Sequence, residues 1–360
     1  MNTHYKFWSD VLKNPTYVSA PMVNYSDQPF RMLLRNEGNT DLCFTQMYHS
    51  RLFVEDSKYR SEALKSMINE SPLIMQFCSN DPEIFEEAVR LSSPYCDATD
   101  LNLGCPQGIA RSGHYGAYLQ NEWQLTQKLI KSGLQHNPIT AKIRIFPDIT
   151  KSVQYAQMLE SCGISALTVH GRTIEQKGHA TGLASWKHIK AIKDALKIPV
   201  IANGNIQRFN DIERCLGQTG CDAVMSAEGL LYNPLLFTGK IPLTFEVGLR
   251  YLDNIEKFDK SSNVRLPDYV KGHMHKICHS VLNDHPDIRN AIQSSSTMSD
   301  IRDSLNKLNQ KFIENLTDTC WACKPFQRSS PYCSNKRNHL ISCEISSFVN
   351  DDINIESLFT

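Results

Sequence analysis

Ala98-Thr99-Asp100-Leu101-Asn102-Leu103-Gly104-Cys105-Pro106 is the stretch on which the reading of this chain turns. A strand-like run ends at Leu103, and a glycine and a proline then flank a cysteine, so the chain turns sharply and holds a thiol at a fixed place on a loop. The same unit, a short β-branched or apolar run followed by a longer stretch with helical spacing, recurs along the first 230 or so residues. That alternation is the mark of a parallel sheet. The runs are Tyr17 to Ala20, Leu42 to Thr45, Leu73 to Phe77, Ala98 to Leu103, Ile139 to Ile145, Ala166 to His170, Val200 to Asn203 and Ala223 to Ala227. Helical spacing covers Gln28 to Asn36, Pro82 to Leu91, Glu122 to Ser132, Val153 to Cys162, Trp186 to Leu196 and Asn210 to Leu216.

Eight such units fit a (β/α)8 TIM barrel better than an open doubly wound sheet, and no GxGxxG turn follows the first run. Chemically capable residues gather at the carboxyl ends of the runs, which a barrel brings to one rim. After about Pro242 the pattern becomes polar and helical, over Phe245 to Phe258, Pro267 to His279 and Ile301 to Asn315. The expected organisation is a barrel over residues 1–241, a small domain of three or four helices over 242–319, and a Cys-rich basic segment with an acidic, partly disordered tail over 320–360.

Composition narrows the class. The chain has 360 residues, 41% hydrophobic and 21% charged, with 38 Lys and Arg against 38 Asp and Glu, so an RNA contact has to come from a local patch. No segment has the roughly eighteen apolar residues that span a bilayer. The opening residues carry Lys6, Asp10 and Lys13 without a continuous apolar run, which does not read as a secretory signal. Twelve scattered cysteines then read as reduced thiols of the cytoplasm or nucleus. Residues 320–343 contain Lys324, Arg328, Lys336 and Arg337 and no acidic residue, a strip suited to phosphate. Cys320, Cys323, Cys333 and Cys343 with His339 do not form two properly spaced pairs, and no metal site is assigned.

Each candidate residue has two readings. Cys105 could act as nucleophile, metal ligand or proton donor, or be a small buried apolar residue in a turn. Lys142, on a strand with apolar neighbours, points into a barrel mouth, where it could form a Schiff base or steady negative charge on a flavin; outward, it snorkels past a helix. His170-Gly171-Arg172, Asn203-Gly204-Asn205 and Ala227-Glu228-Gly229 end the last three strands, where glycines let backbone N–H groups approach a phosphate or merely make turns. Gln76 offers an amide to the same rim, and Met22 an apolar surface and a backbone contact. In the glycine-spaced loop after Cys105, which is expected to be mobile, Arg111 and His114 could reach phosphate and Tyr115 could stack on a base.

The strings Ala20-Pro21-Met22-Val23, Met75-Gln76-Phe77, Leu101-Asn102-Leu103-Gly104-Cys105-Pro106, Ala141-Lys142-Ile143-Arg144, His170-Gly171-Arg172-Thr173 and Ala202-Asn203-Gly204-Asn205-Ile206, in this order, resemble the tRNA-dihydrouridine synthases. The likeness runs from about residue 16 to residue 239, and Asn102 through Arg111 resembles the eukaryotic branch acting at D-loop positions 16 and 17. The resemblance implies FMN, NADPH or NADH as reductant, and uridine in tRNA as substrate; no obligate protein partner is inferred. It implies that Pro21, Met22, Val23, Gln76, Lys142, His170, Asn203, Gly204, Asn205, Ala227 and Glu228 hold FMN and that Cys105 gives the proton. Asn102, Arg111, His114, Arg144 and Arg172 are expected to face the substrate. Conjugation of the uracil 5,6 double bond with the C4 carbonyl directs hydride to C6 and the proton to C5. At Ala227-Glu228-Gly229 many bacterial members carry a Gly-Arg pair, so phosphate binding here would lean on backbone amides or on Arg172.

Overall fold

In the computed structural model of the chain, which describes residues 3–258 and 266–314, eight parallel strands close into a barrel. They are β1 (Tyr17–Ser19), β2 (Leu42–His49), β3 (Leu73–Cys78), β4 (Ala98–Leu103), β5 (Ile139–Arg144), β6 (Ala166–His170), β7 (Val200–Asn203) and β8 (Ala223–Ser226). Each pairs with the next in sequence, and β1 returns to β8 with Val18 opposite Met225. The (β/α)8 expectation is met strand by strand. β2 runs on to His49 through a register irregularity between Phe44 and Met47.

The pleat sorts residues to two sides of the barrel wall. On β3, Leu73, Met75 and Phe77 pack outward into the layer shared with the helices, whereas Ile74 joins the cluster inside the barrel. That inner cluster gathers Val18, Leu42, Phe44, Ala98, Ala166, Ile201, Ala223 and Met225 with Trp8 and Leu12 from the amino-terminal segment. Leu42, Ala98, Ala166 and Ala223 open their strands, so Trp8 and Leu12 stop the bottom of the barrel. The helix Thr3–Asp10 is tied there by the Tyr5 hydroxyl, which donates to Asp222 Oδ1 (2.9 Å) just before β8. Sequence periodicity does not show this helix, because it is short and has no partner face of its own.

The expected helices between strands appear with ends shifted by a few residues, and two more, Ser50–Glu55 and Ser57–Lys65, stand between β2 and β3. Asp56 starts the second by accepting from the Lys58 and Tyr59 amides. Beyond the barrel the described residues hold five helices, not three or four: Thr244–Phe258, Asp268–Ile277, His279–Asp284, Pro286–Ser294 and Met298–Glu314. The single helix expected over Pro267 to His279 breaks at Cys278, and Pro286 supplies the fixed φ that starts a helix the periodicity did not reveal.

The helical region is fastened to the barrel at Asp27. This residue caps the helix Gln28–Asn36 by accepting from the Phe30 amide, receives the Tyr251 hydroxyl (3.1 Å), and lies 2.7 Å from Nε2 of the fully buried His273. Burial pushes the Asp27 carboxyl up, but His273, the Phe30 amide and the Tyr251 hydroxyl outweigh it and hold it below the usual carboxylate range. The Cys-rich segment, its basic strip and the acidic tail lie outside the described residues. Among the described residues no helix is long and apolar enough to cross a membrane, and the eight cysteines are free.

Removing the Trp8 side chain should open the barrel floor. Trp8→Ala is expected to lower the unfolding free energy by about 3–5 kcal/mol in urea titration; a loss below about 1 kcal/mol would show that this helix is not the stopper.

Candidate active site

Register places the polar residues side by side before any side chain is considered. Gln76 pairs with Asp100, Asn102 with Lys142, Lys142 with Thr168, Arg144 with His170, and His170 with Asn203. Asp100 and Thr168 lie at mid-strand and the others nearer the carboxyl ends, so the set converges on one mouth with Asp100 at its base.

A directed set of hydrogen bonds lines that mouth from its base. The Thr140 hydroxyl donates to Asp100 Oδ1 (2.7 Å) and Gln76 Nε2 to Asp100 Oδ2 (2.8 Å). Asn102 Nδ2 donates to Gln76 Oε1 (2.8 Å), and Asn102 Oδ1 accepts the amides of Gly104 (3.1 Å) and Cys105 (2.9 Å). Full burial pushes the Asp100 carboxyl up to about 6 against the pull of Gln76, Thr140 and Lys142. Asp100 and Thr140 were given no role from sequence.

Lys142 reaches into the mouth from β5 and donates to Asn203 Oδ1 (3.1 Å). Among the described residues this is the only hydrogen-bond partner of its ammonium, and it has no ion pair. Asn203 is itself held by its Nδ2, which donates to the Met225 carbonyl (2.9 Å). Burial, and after it the Arg144 guanidinium, pull the Lys142 ammonium down to about 8, with Asp100 and Cys105 pulling the other way. Thiol and ammonium therefore share one end of the barrel within electrostatic reach.

His170 is a neutral imidazole: burial and then Lys142, Arg144 and Arg172 drive it well below its ordinary value. Its Nε2 lies 2.8 Å from Arg172 NH1, and a guanidinium only donates. Nε2 therefore accepts, and the ring proton sits on Nδ1 as a donor. Arg172 also donates to Asn205 Oδ1 (3.0 Å) and to the Gly182 carbonyl (3.1 Å). Gly204 has φ +113°, and a Cβ there would stand 2.6 Å from Ala184 Cβ, so this turn requires glycine.

The Cys105 turn is held from several sides. Arg144 donates to the carbonyls of Gly104 (2.9 Å), Thr173 (2.7 Å) and Gln176 (3.1 Å), bracing the loops after β4 and β6. Lys177, which carried no signal in the sequence, donates to the Pro106 carbonyl (2.7 Å). The Ala117 amide donates to the Cys105 carbonyl (3.1 Å), and at Gly116 (φ +67°) a Cβ would come within 2.9 Å of that same oxygen.

The loop beyond, expected from its glycines to be mobile, is locally folded. It forms the helix Gly108–Ser112 and a 3-10 turn over Gly116–Leu119. Tyr115 is buried and packs edge-on against His49 at 5.6 Å, so it presents no face for a base. His114 is engaged with Glu122 (2.5 Å), while Arg111 is exposed. At the other edge Pro21 and Met22 are half-buried and Val23 is exposed; Ala227 precedes the short helix Glu228–Tyr232.

Barrel, buried lysine, neutral histidine and braced thiol place the chain in the (β/α)8 class, with a polar, cation-bearing mouth. The profile of the dihydrouridine synthase (Dus) family matches residues 18–317, and the chain belongs to that family. It is 44% identical to the mouse tRNA-dihydrouridine(16/17) synthase [NAD(P)(+)]-like over 353 residues, 93% of this chain and 73% of that protein. It is 38% identical to the Schizosaccharomyces pombe tRNA-dihydrouridine(16/17) synthase [NAD(P)(+)], covering 98% and 85% of the two chains. Among solved structures, a 2-naphthoyl-CoA reductase complex superposes with a TM-score of 0.50 at 11% identity over 64% of this chain and 51% of that one, a likeness of fold.

Arg144 offers a discriminating test, because its observed bonds are braces between loops. Arg144→Met should lower stability by about 2–4 kcal/mol in denaturant unfolding, the cost of stranding charge-assisted carbonyl bonds; an unchanged midpoint with a raised KM for substrate would mean that it serves substrate alone.

Proposed function

We propose that this chain reduces uridine to 5,6-dihydrouridine in the D-loop of tRNA, at positions 16 and 17, using FMN and either NADPH or NADH. The observation that carries the reading is the Lys142 ammonium, buried opposite the Cys105 turn with one neutral partner. A cation so placed calls for an electron-rich group to complete it.

The donor set fits the polar edge of an isoalloxazine ring. Lys142, the Gln76 and Asn203 amides and the Nδ1–H of His170 are donors of the kinds that ring nitrogens and carbonyls accept. Backbone and side-chain contacts from Pro21, Met22 and Val23 would cover the ring, with Gly204, Asn205, Ala227 and Glu228 around its phosphate end. FMN, when bound, supplies the two-electron chemistry that saturates the uracil 5,6 bond.

The protein's own part is positional and protonic. Lys142 offsets negative charge that gathers in the mouth, and His170, held neutral, donates a hydrogen bond without adding a fourth cation. Cys105 gives its proton to uracil C5, and the bracing of its turn keeps the thiol aimed there. Asn102, Arg111, His114, Arg144 and Arg172 surround the entry of a base that has left the stacked D-loop. The region over 242–319 holds the rest of the tRNA. Lys276 of that region donates to the Tyr232 hydroxyl (3.0 Å) at the end of the short helix that follows β8, which joins the region to the barrel.

Cys105→Ala should keep FMN and its reduction by NADPH while dihydrouridine formation on unmodified tRNA falls at least about a hundredfold. Undiminished product would remove the proton donor, and preference for free uridine or a small enone over tRNA would replace the substrate. Wild-type turnover should also fall as pH rises through about 8, where Lys142 loses its proton, and a pH profile of Lys142→Met should lack that limb.

A further inference from the structure

The run Asp100–Gln76–Asn102–Cys105 has a property that its single bonds do not. At one end an ionised carboxylate can only accept, and at the other the backbone amides of Gly104 and Cys105 can only donate. Between them lie two carboxamides, each able to face either way. With the ends fixed, one arrangement alone satisfies every bond. Gln76 turns its NH2 to Asp100 (2.8 Å) and its oxygen to Asn102 Nδ2 (2.8 Å), and Asn102 turns its oxygen to the Gly104 and Cys105 amides (3.1 and 2.9 Å).

We infer that Asp100 is a positioning residue for the reaction: its carboxylate sets the direction of the Gln76–Asn102 amide pair and so fixes the turn that carries the Cys105 thiol. The significance assigned to that thiol rests on the dihydrouridine reading above; the positioning itself does not. Asp100 is fully buried and too deep to touch a base at the rim, and the Thr140 hydroxyl occupies its second oxygen, so it acts through its neighbours. Reversing Asn102 would set its NH2 group against the two N–H donors of the turn and lose both bonds, and reversing Gln76 would set its oxygen against the carboxylate and its NH2 against that of Asn102. The raised affinity of the Asp100 carboxyl for protons is the cost of keeping an acceptor at this depth, and Lys142 offsets part of it.

Asp100→Asn tests this with little change of shape. The new carboxamide can donate as well as accept, so the reversed direction becomes available and the turn loosens. In the flavin-loaded enzyme, iodoacetamide labelling of Cys105, followed peptide by peptide in a mass spectrometer, should accelerate about three- to tenfold, the equivalent of one lost hydrogen bond. The fully buried Cys43 and Cys278 should label at the wild-type rate. With NADPH and tRNA, kcat should fall about tenfold while KM for tRNA holds, because the thiol and not the RNA surface has been disturbed. A rate for Cys105 equal to wild type, or a parallel rise at all three cysteines, overturns the proposal. If Asp100→Asn gives no folded protein, Gln76→Met breaks the same chain at its middle and should speed Cys105 labelling alike; labelling at the wild-type rate there also overturns it. The labelling needs neither NADPH nor tRNA, so a failure of the dihydrouridine reading appears separately, as absent product from the wild-type enzyme.

Discussion

The Lys142 ammonium is the group around which the mouth is organised. Taking it out of water is unfavourable, and its proton affinity has dropped to about 8 in consequence. Its surroundings add to that cost. Arg144 and Arg172 bring two more cations to the same rim, and burial, followed by repulsion from Arg172, brings Arg144 down to about 10. Against these stands Asp100 at the base, itself raised to about 6. His170 relieves part of the strain by staying uncharged while still presenting a donor. Such a local gathering of positive charge, in a chain with no net charge, is held in place by the barrel, and it suits an electron-rich or anionic group.

The barrel makes that concentration of charge possible by separating two tasks along the same strands. The lower inward positions are apolar and are stopped by Trp8 and Leu12, so the hydrophobic interior does not depend on anything binding above. The upper inward positions carry the amides, the carboxylate and the cations. Between the layers the bonds are short and directed, and most of the groups are nearly excluded from water. A polar layer of that kind rigidifies its members, because any rotation strands a donor or an acceptor in low dielectric.

The barrel was legible because the apolar runs are separated by helical periods of sufficient length, and the chemistry at the ends of the runs fell where a closed sheet gathers them. What escaped the sequence lacks periodicity. The helix Thr3–Asp10 makes only two turns, the break at Cys278 is a matter of one residue's backbone, and the ties from Arg144 and Lys177 to carbonyl groups leave no trace in residue type. Tyr115 was misplaced because glycines at both sides suggested an open loop, whereas Gly116 is there to let the chain pass against Cys105. Asp100 did have a signal: it stands two residues before Asn102 in one strand, on the same face, and a carboxylate aimed into a barrel asks for partners.

The number of restraints on the Cys105 turn bears on the proton transfer proposed for it. The Asn102 oxygen, the Arg144 guanidinium, the Lys177 ammonium and the Ala117 amide hold different atoms of three consecutive residues, and every one of these bonds is made within the chain itself. A thiol on a free loop would have to find its direction anew for each base, at an entropic cost in every turnover. Here that ordering is part of folding itself. The energy of binding RNA is then left for the step that the protein cannot prepare in advance, drawing one base out of a folded loop and into the mouth.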